Sequence, residues 1–134
     1  MILFRVIGTP KGQPRPRAFV RGRHAGVYNP DTADEWKQAI ALQAARYAPA
    51  KPLEGPVSVQ MTFAMPRPQR LRRAISSVPH VAKPDIDNLV KAVLDVLTRV
   101  GFWTDDAQVS HLLVAKHYAL PEQQPGVSLI LAPH

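Results

Sequence analysis

Residues 86–100 constrain the fold more than any other stretch, because their apolar side chains fall along one side of a helix. Ile86, Leu89, Val90, Val93, Leu94, Leu97 and Val100 align at about 100° per residue. Such a face has to be buried against another layer of structure. The ends of the helix are marked as well. Asp85 takes the N-cap position with Asn88 three residues on, Gly101 stands where a left-handed C-terminal cap belongs, and Phe102 can fold back onto the last turn.

The remaining periodicity supplies the layer. Residues 2–7 read as a first strand, and residues 57–65 alternate with Val57, Val59, Met61, Phe63 and Met65 on one face. Val109–Tyr118 and Val127–Leu131 read as two more strands, joined through Pro121–Gly126. Another helix is expected after Asn29-Pro30, where Asp31 or Thr32 can cap and Asp34 and Glu35 fill the positive first turn. Its stripe is Trp36, Ile40, Ala44 and Tyr47, up to Pro49. Residues 8–30 form a basic loop with a short hairpin around Phe19-Val20 and Val27-Tyr28, and residues 66–84 form an aperiodic Pro/Arg-rich loop of a length usually tied to function. This order predicts one α+β domain over residues 1–134. With no long apolar run, no signal-peptide pattern and no cysteine, the expected compartment is the cytoplasm and no membrane partner is expected.

Charge narrows the function classes. The net charge is +7, and ten of the 17 basic residues fall in two windows: Lys11, Arg15, Arg17, Arg21 and Arg23, then Arg67, Arg70, Arg72, Arg73 and Lys83. A domain so basic is expected to meet a polyanion, and nucleic acid is the usual one; a merely soluble basic surface is the ordinary alternative. Five of the ten acids (Asp85, Asp87, Asp95, Asp105, Asp106) lie between positions 85 and 106. Asp87 sits at the edge of the apolar arc, Lys91 one turn above it, and Asp95 further into the polar face.

Gathered carboxylates repel one another unless a cation joins them. Magnesium takes a few carboxylate oxygens, keeps water and completes its shell from substrate phosphate. In that role it promotes phosphodiester hydrolysis, and a lysine one turn from a ligand can steady the phosphate's charge or orient the water. No nucleophile–base pair is evident among the serines and histidines, and His24, His80, His111, His117 and His134 have no ligand spacing. Each acid also has an ordinary structural role: Asp85 as a cap, Asp87 as a first-turn acid, Asp95 as a solvated polar-face residue, Asp105-Asp106 as a turn. Trp36 and Trp103 read as core residues rather than stacking platforms.

Taken together, Asp85-x-Asp87-Asn88-Leu-x-Lys91, then Asp95, then Gly101-Phe102-Trp103-x-Asp105-Asp106-x-Gln108-Val109 resembles the signature of the RusA family of crossover junction endodeoxyribonucleases. The opening strand with Pro10-Lys11-Gly12-Gln13-Pro14-Arg15-Pro16-Arg17 also resembles family members, especially phage-associated ones. The resemblance implies a mixed β-sheet with two main helices packed on it. It further implies a homodimer that nicks four-way (Holliday) or branched DNA with Mg2+, for which Mn2+ substitutes. By motif, the essential aspartates fall on Asp85, Asp87 and Asp106, with Asp105 the neighbouring candidate ligand and Lys91 the important lysine. Arg70, Arg72 and Arg73 lie well upstream of the first aspartate rather than abutting it as in the best-known form of the family, which leaves Lys83 beside it. The expected DNA contacts are Lys11, Arg15, Arg17, Arg21, Arg23, Arg70, Arg72, Arg73 and Lys83. Two rival readings are a DNA-binding module without catalysis and a nuclease acting on other branched nucleic acids.

Overall fold

A computed structural model describes residues 1–14, 17–28 and 33–134. In chain order the elements are strand β1 (Ile2–Ile7), hairpin strands β2 (Arg17–Arg21) and β3 (His24–Tyr28), helix α1 (Asp34–Ala45), strand β4 (Val57–Met65), helix α2 (Ile86–Val100), and strands β5 (Val109–Tyr118) and β6 (Gly126–Pro133). Short 3-10 turns lie at Gln69–Leu71 and Asp106–Gln108. The main sheet is mixed and runs β1-β6-β4-β5, with β2-β3 a separate hairpin.

The clean alternation of β4 fits its central place. It pairs with β6 antiparallel and with β5 parallel, burying Val57, Val59, Met61 and Phe63 on one face. Because β4 and β5 run the same way, the chain has to cross over between them, and α2 makes that crossover. Trp36, Ile40 and Ala44 of α1 and Leu89, Val93 and Leu97 of α2 close a single core with Phe4, Val59, Met61 and Leu129. The architecture is therefore the expected α+β one: two helices on a mixed sheet.

Some local expectations shift. Asp31 and Thr32, the expected caps, lie outside the described residues; α1 begins after Ala33, with no side-chain cap bond. It ends at Ala45, so Tyr47 lies beyond it and stacks instead on Phe4, ring centroids 5.1 Å apart. Ile86 is 39% exposed, because it opens α2 at the mouth of a cleft, while Ala92 and Val96 help fill the buried face. Gly101 does form the left-handed cap at φ 98°, and Phe102 folds back as expected, its amide donating to the Leu97 carbonyl at 3.0 Å.

The second basic loop is fastened at both ends of its course. Arg67 donates to the carbonyl oxygens of Ala119 (2.8 Å) and Ala74. Further on, Pro79 bridges His117, the Tyr118 amide donates to Val78 O at 2.9 Å, and the His80 amide donates to Lys116 O at 3.3 Å. The segment leading to α2 thus lies along the outer edge of β5. Among the described residues no helix is long and apolar enough to cross a membrane.

Candidate active site

The head of α2 gathers both basic loops. From one side, the Gln13 amide donates to Asn88 O at 2.9 Å, and Gly12 approaches so closely that a Cβ there would lie 3.0 Å from Asn88 Cβ and 3.2 Å from Pro84 Cβ. A side chain there would have to push Asn88 or Pro84 aside by a few tenths of an ångström. From the other side, Lys116 of β5 donates to the carbonyl oxygens of Ala82 and Pro84, each at 2.8 Å, and so holds the strap that delivers Asp85. Asp85 takes the N-cap position in an extended conformation, yet its side chain makes no cap bond. Its carboxylate pairs with Lys83 at 3.1 Å. Asp87 follows in the first turn and is exposed.

One turn above Asp87, the Lys91 ammonium lies 3.0 Å from Asp95 Oδ1 and 3.5 Å from Asp106 Oδ2. The hydrogen bond and charge of Asp95, and then the charge of Asp106, hold Lys91 above the ordinary lysine pKa, so it is protonated at neutral pH. Asp95, expected to be a solvated polar-face residue, is instead an ion-pair partner. Its side chain is only 27% exposed.

Asp106 owes its position to the turn it begins. Asp105 accepts from the Ala107 amide at 2.8 Å, while Gln108 Oε1 accepts from the amides of Thr104 (3.0 Å) and Asp105 (3.3 Å). Gln108 Nε2 then donates to Leu53 O at 2.9 Å and Gly55 O at 3.0 Å, tying the turn to the body of the protein. The Asp105 carboxylate is thereby committed to a capping box, whereas its neighbour meets Lys91.

Lys91, Asp95 and Asp106 are brought into contact, with Asp87 one helical turn away and Asp85 at the same helix end. Among the described residues, no group of three or more His, Asp or Glu side chains stands ready to hold a metal ion. The cation among these carboxylates is the lysine's own.

Of the expected DNA contacts, Lys11, Arg23, Arg70, Arg72, Arg73 and Lys83 are exposed. Arg15 lies outside the described residues, and Arg17 and Arg21 are placed by backbone only, in β2. Arg70 sits over the Tyr118 ring, 5.8 Å from its centroid. Trp103 is core as expected, its indole N–H donating to Thr98 Oγ1 at 2.7 Å; Trp36 is core too. Sequence reasoning missed Lys116, His80 and His117, which the strap brings to the head of α2. The alternation of β5 offered a signal only for which side of the strand each faces.

Residues 8–130 match the family described as Endodeoxyribonuclease RusA. The chain is 31% identical over 138 residues to "Uncharacterized protein YqaN" of Bacillus subtilis (strain 168), spanning 97% of this chain and 94% of that protein. It is 51% identical over 39 residues to the crossover junction endodeoxyribonuclease RusA of Escherichia coli (strain K12), which is 29% of this chain and 32% of that protein. The similarity to the enzyme of Enterobacteria phage 82 has the same extent.

Proposed function

The chain belongs to the RusA endodeoxyribonuclease family, and from that premise we propose that it resolves four-way (Holliday) DNA junctions by metal-dependent phosphodiester hydrolysis. The observation that supports this most is the placement of Lys91 between Asp95 and Asp106, one turn from Asp87. There the helix and the turn beyond it bring one carboxylate each, Asp95 and Asp106, onto the ammonium of Lys91.

The donor set fits magnesium or manganese in kind, since it is made of hard carboxylate oxygens. Asp85, Asp87 and Asp106 would hold the ion, and substrate phosphate would complete a site that the protein leaves unfinished. Bound metal supplies Lewis-acid stabilisation of charge at the phosphate. The chain's own residues do the rest. Lys91, held protonated by Asp95, presents a fixed positive charge where the phosphate gains negative charge. Asp105 and Gln108 keep Asp106 aimed at that point. The exposed bases Lys11, Arg70, Arg72, Arg73 and Lys83, together with Arg15, Arg17, Arg21 and Arg23, would hold flanking phosphates, giving affinity with little sequence information.

A four-way junction has near-twofold symmetry and two strands to cut. A twofold pair of protomers meets that need with one active centre for each strand. The test is a nicking assay on a synthetic four-way junction, with and without magnesium, beside flap, duplex and single-strand substrates. Paired nicks that need magnesium and vanish in Asp87→Asn, with junction binding kept or tightened, are expected. Equal nicking by Asp87→Asn would overturn the assignment, and binding without any nicking would favour the non-catalytic module.

A further inference from the structure

His111 and His134, which the carboxylate site does not use, meet at the surface where β5 begins and β6 ends. Their ring centroids lie 5.2 Å apart, with the rings tilted 36° to one another. We propose that the pair chelates one transition-metal ion of the zinc class through its two Nε2 atoms. This site is separate from the magnesium chemistry proposed above and does not depend on it.

A shift of register in the sheet builds the pair. In the parallel β4–β5 ladder Val57 stands opposite Val109, but Ser58 stands opposite His111, so Ser110 is an extra residue in β5. A bulge of this kind re-aims the side chains around it. It leaves His111 beside Ser58, whose Oγ lies 2.9 Å from His111 Nδ1. The inserted Ser110 serves the other ring, its Oγ 2.7 Å from His134 Nδ1. His134 is held there by its backbone amide, which donates to Pro56 O at 2.9 Å.

Both rings thus have Nδ1 engaged by a hydroxyl, and the chemistry of Nε2 follows. An imidazole binds a metal through the nitrogen that carries no hydrogen, and a hydrogen bond from its other N–H fixes the ring. A serine oxygen can accept that N–H. The tautomer with hydrogen on Nδ1 then keeps a lone pair on each Nε2. The separation of the rings suits a shared ion. Zinc about 2.1 Å from an imidazole nitrogen stands about 3.2 Å from the ring centroid, and a tetrahedral angle then sets two centroids about 5.2 Å apart. Among the described residues no third His, Asp or Glu forms a group with the two, so water would fill the remaining positions. Imidazole ligands favour zinc, nickel or copper over magnesium. An ion held here would tie β5 to the end of β6 across β4, which lies between them, and would stabilise the folded chain that presents the pair.

The probe is zinc itself, titrated into the full chain against a chromogenic chelator, with magnesium in excess to occupy the carboxylates. One zinc that magnesium does not displace is expected to bind, and it should raise the urea midpoint. His111→Gln and His134→Gln, both at exposed positions, should each abolish the binding and the rise in midpoint. Ser110→Ala keeps both ligands but frees the His134 ring, and should weaken binding about tenfold. Asp87→Asn and Asp106→Asn should bind zinc as wild type does. Long-range 1H–15N spectra of the histidines should identify Nε2 as the liganded nitrogen in both residues. Wild type that binds no zinc under excess magnesium would overturn the site. So would binding that survives in both histidine variants, or that is lost in the aspartate variants instead.

Discussion

Gln108 shows how a single side chain can hold a candidate site carboxylate that it never touches. Its amide accepts two backbone N–H bonds in the turn and donates two to carbonyls near β4, so the position of Asp106 depends on it. Gln108→Ala is expected to cost about 1–2 kcal/mol, less than four full bonds because several of them are solvent-exposed. Nicking should fall while junction binding is unchanged; urea denaturation and the nicking assay together check this. His80 carries a different prediction. Burial, and then the charge of Lys116, lower its pKa below the ordinary histidine value of 6.5. As pH falls through that value the unfolded chain takes up a proton that the folded chain refuses. Stability present above pH ~6.5 is therefore lost on acidification. Denaturation midpoints between pH 8 and 5 should show that decline, and His80→Gln should flatten it.

At the scale of elements, glycines separate what a local code fixes from what the tertiary fold fixes. Gly101 has open space around its missing Cβ but a φ of 98°, so Gly101→Ala should cost about 1 kcal/mol through backbone strain alone. Gly126 has an ordinary φ, yet a Cβ there would run into the Val6 carbonyl oxygen across the β1–β6 pair. Gly126→Ala should therefore cost more, about 2–3 kcal/mol, with both values read from urea midpoints. The first glycine was legible in the sequence because a helix stripe ended beside it; the second was not, because its constraint comes from a strand far away in the chain. The same division runs through the whole reading. The bounds of β1, β4, α2 and β5 follow from periodicity, a property of neighbouring residues. The parallel pairing of β4 with β5, the strap along the β5 edge, and the closing of Lys91 on Asp106 depend on contacts between distant segments. Asp85, Asp87, Lys91 and Asp106 could be named as a set only because they stood in a recognisable pattern. Asp95 stood in the same pattern with no role assigned to it, and Lys116 stood outside the pattern altogether.

Over the whole molecule, a net charge of +7 surrounds a small acidic node, and on the proposed function the two would act on DNA in opposite directions. The bases would draw the polyanion in, while the carboxylates along α2 and in the turn beyond it would oppose it. The arginines of the second basic loop do not all serve the first purpose. Arg67 is half-buried and spent on the carbonyls of Ala119 and Ala74, so its work is to hold the loop. Arg72 and Arg73 are exposed, and their charges face the solvent. Each phosphate contact contributes about 0.9 to the slope of log affinity against log salt, so Arg72→Gln with Arg73→Gln should reduce that slope by nearly 2. Arg67→Gln should leave the slope within error of wild type while lowering the denaturation midpoint. Fluorescence anisotropy on a labelled four-way junction from 50 to 300 mM salt, in EDTA, reads the slopes directly. If the slope falls for Arg67→Gln and not for the double variant, phosphate is held by the strap's interior rather than by its outward face, and the division of labour argued for this loop is wrong.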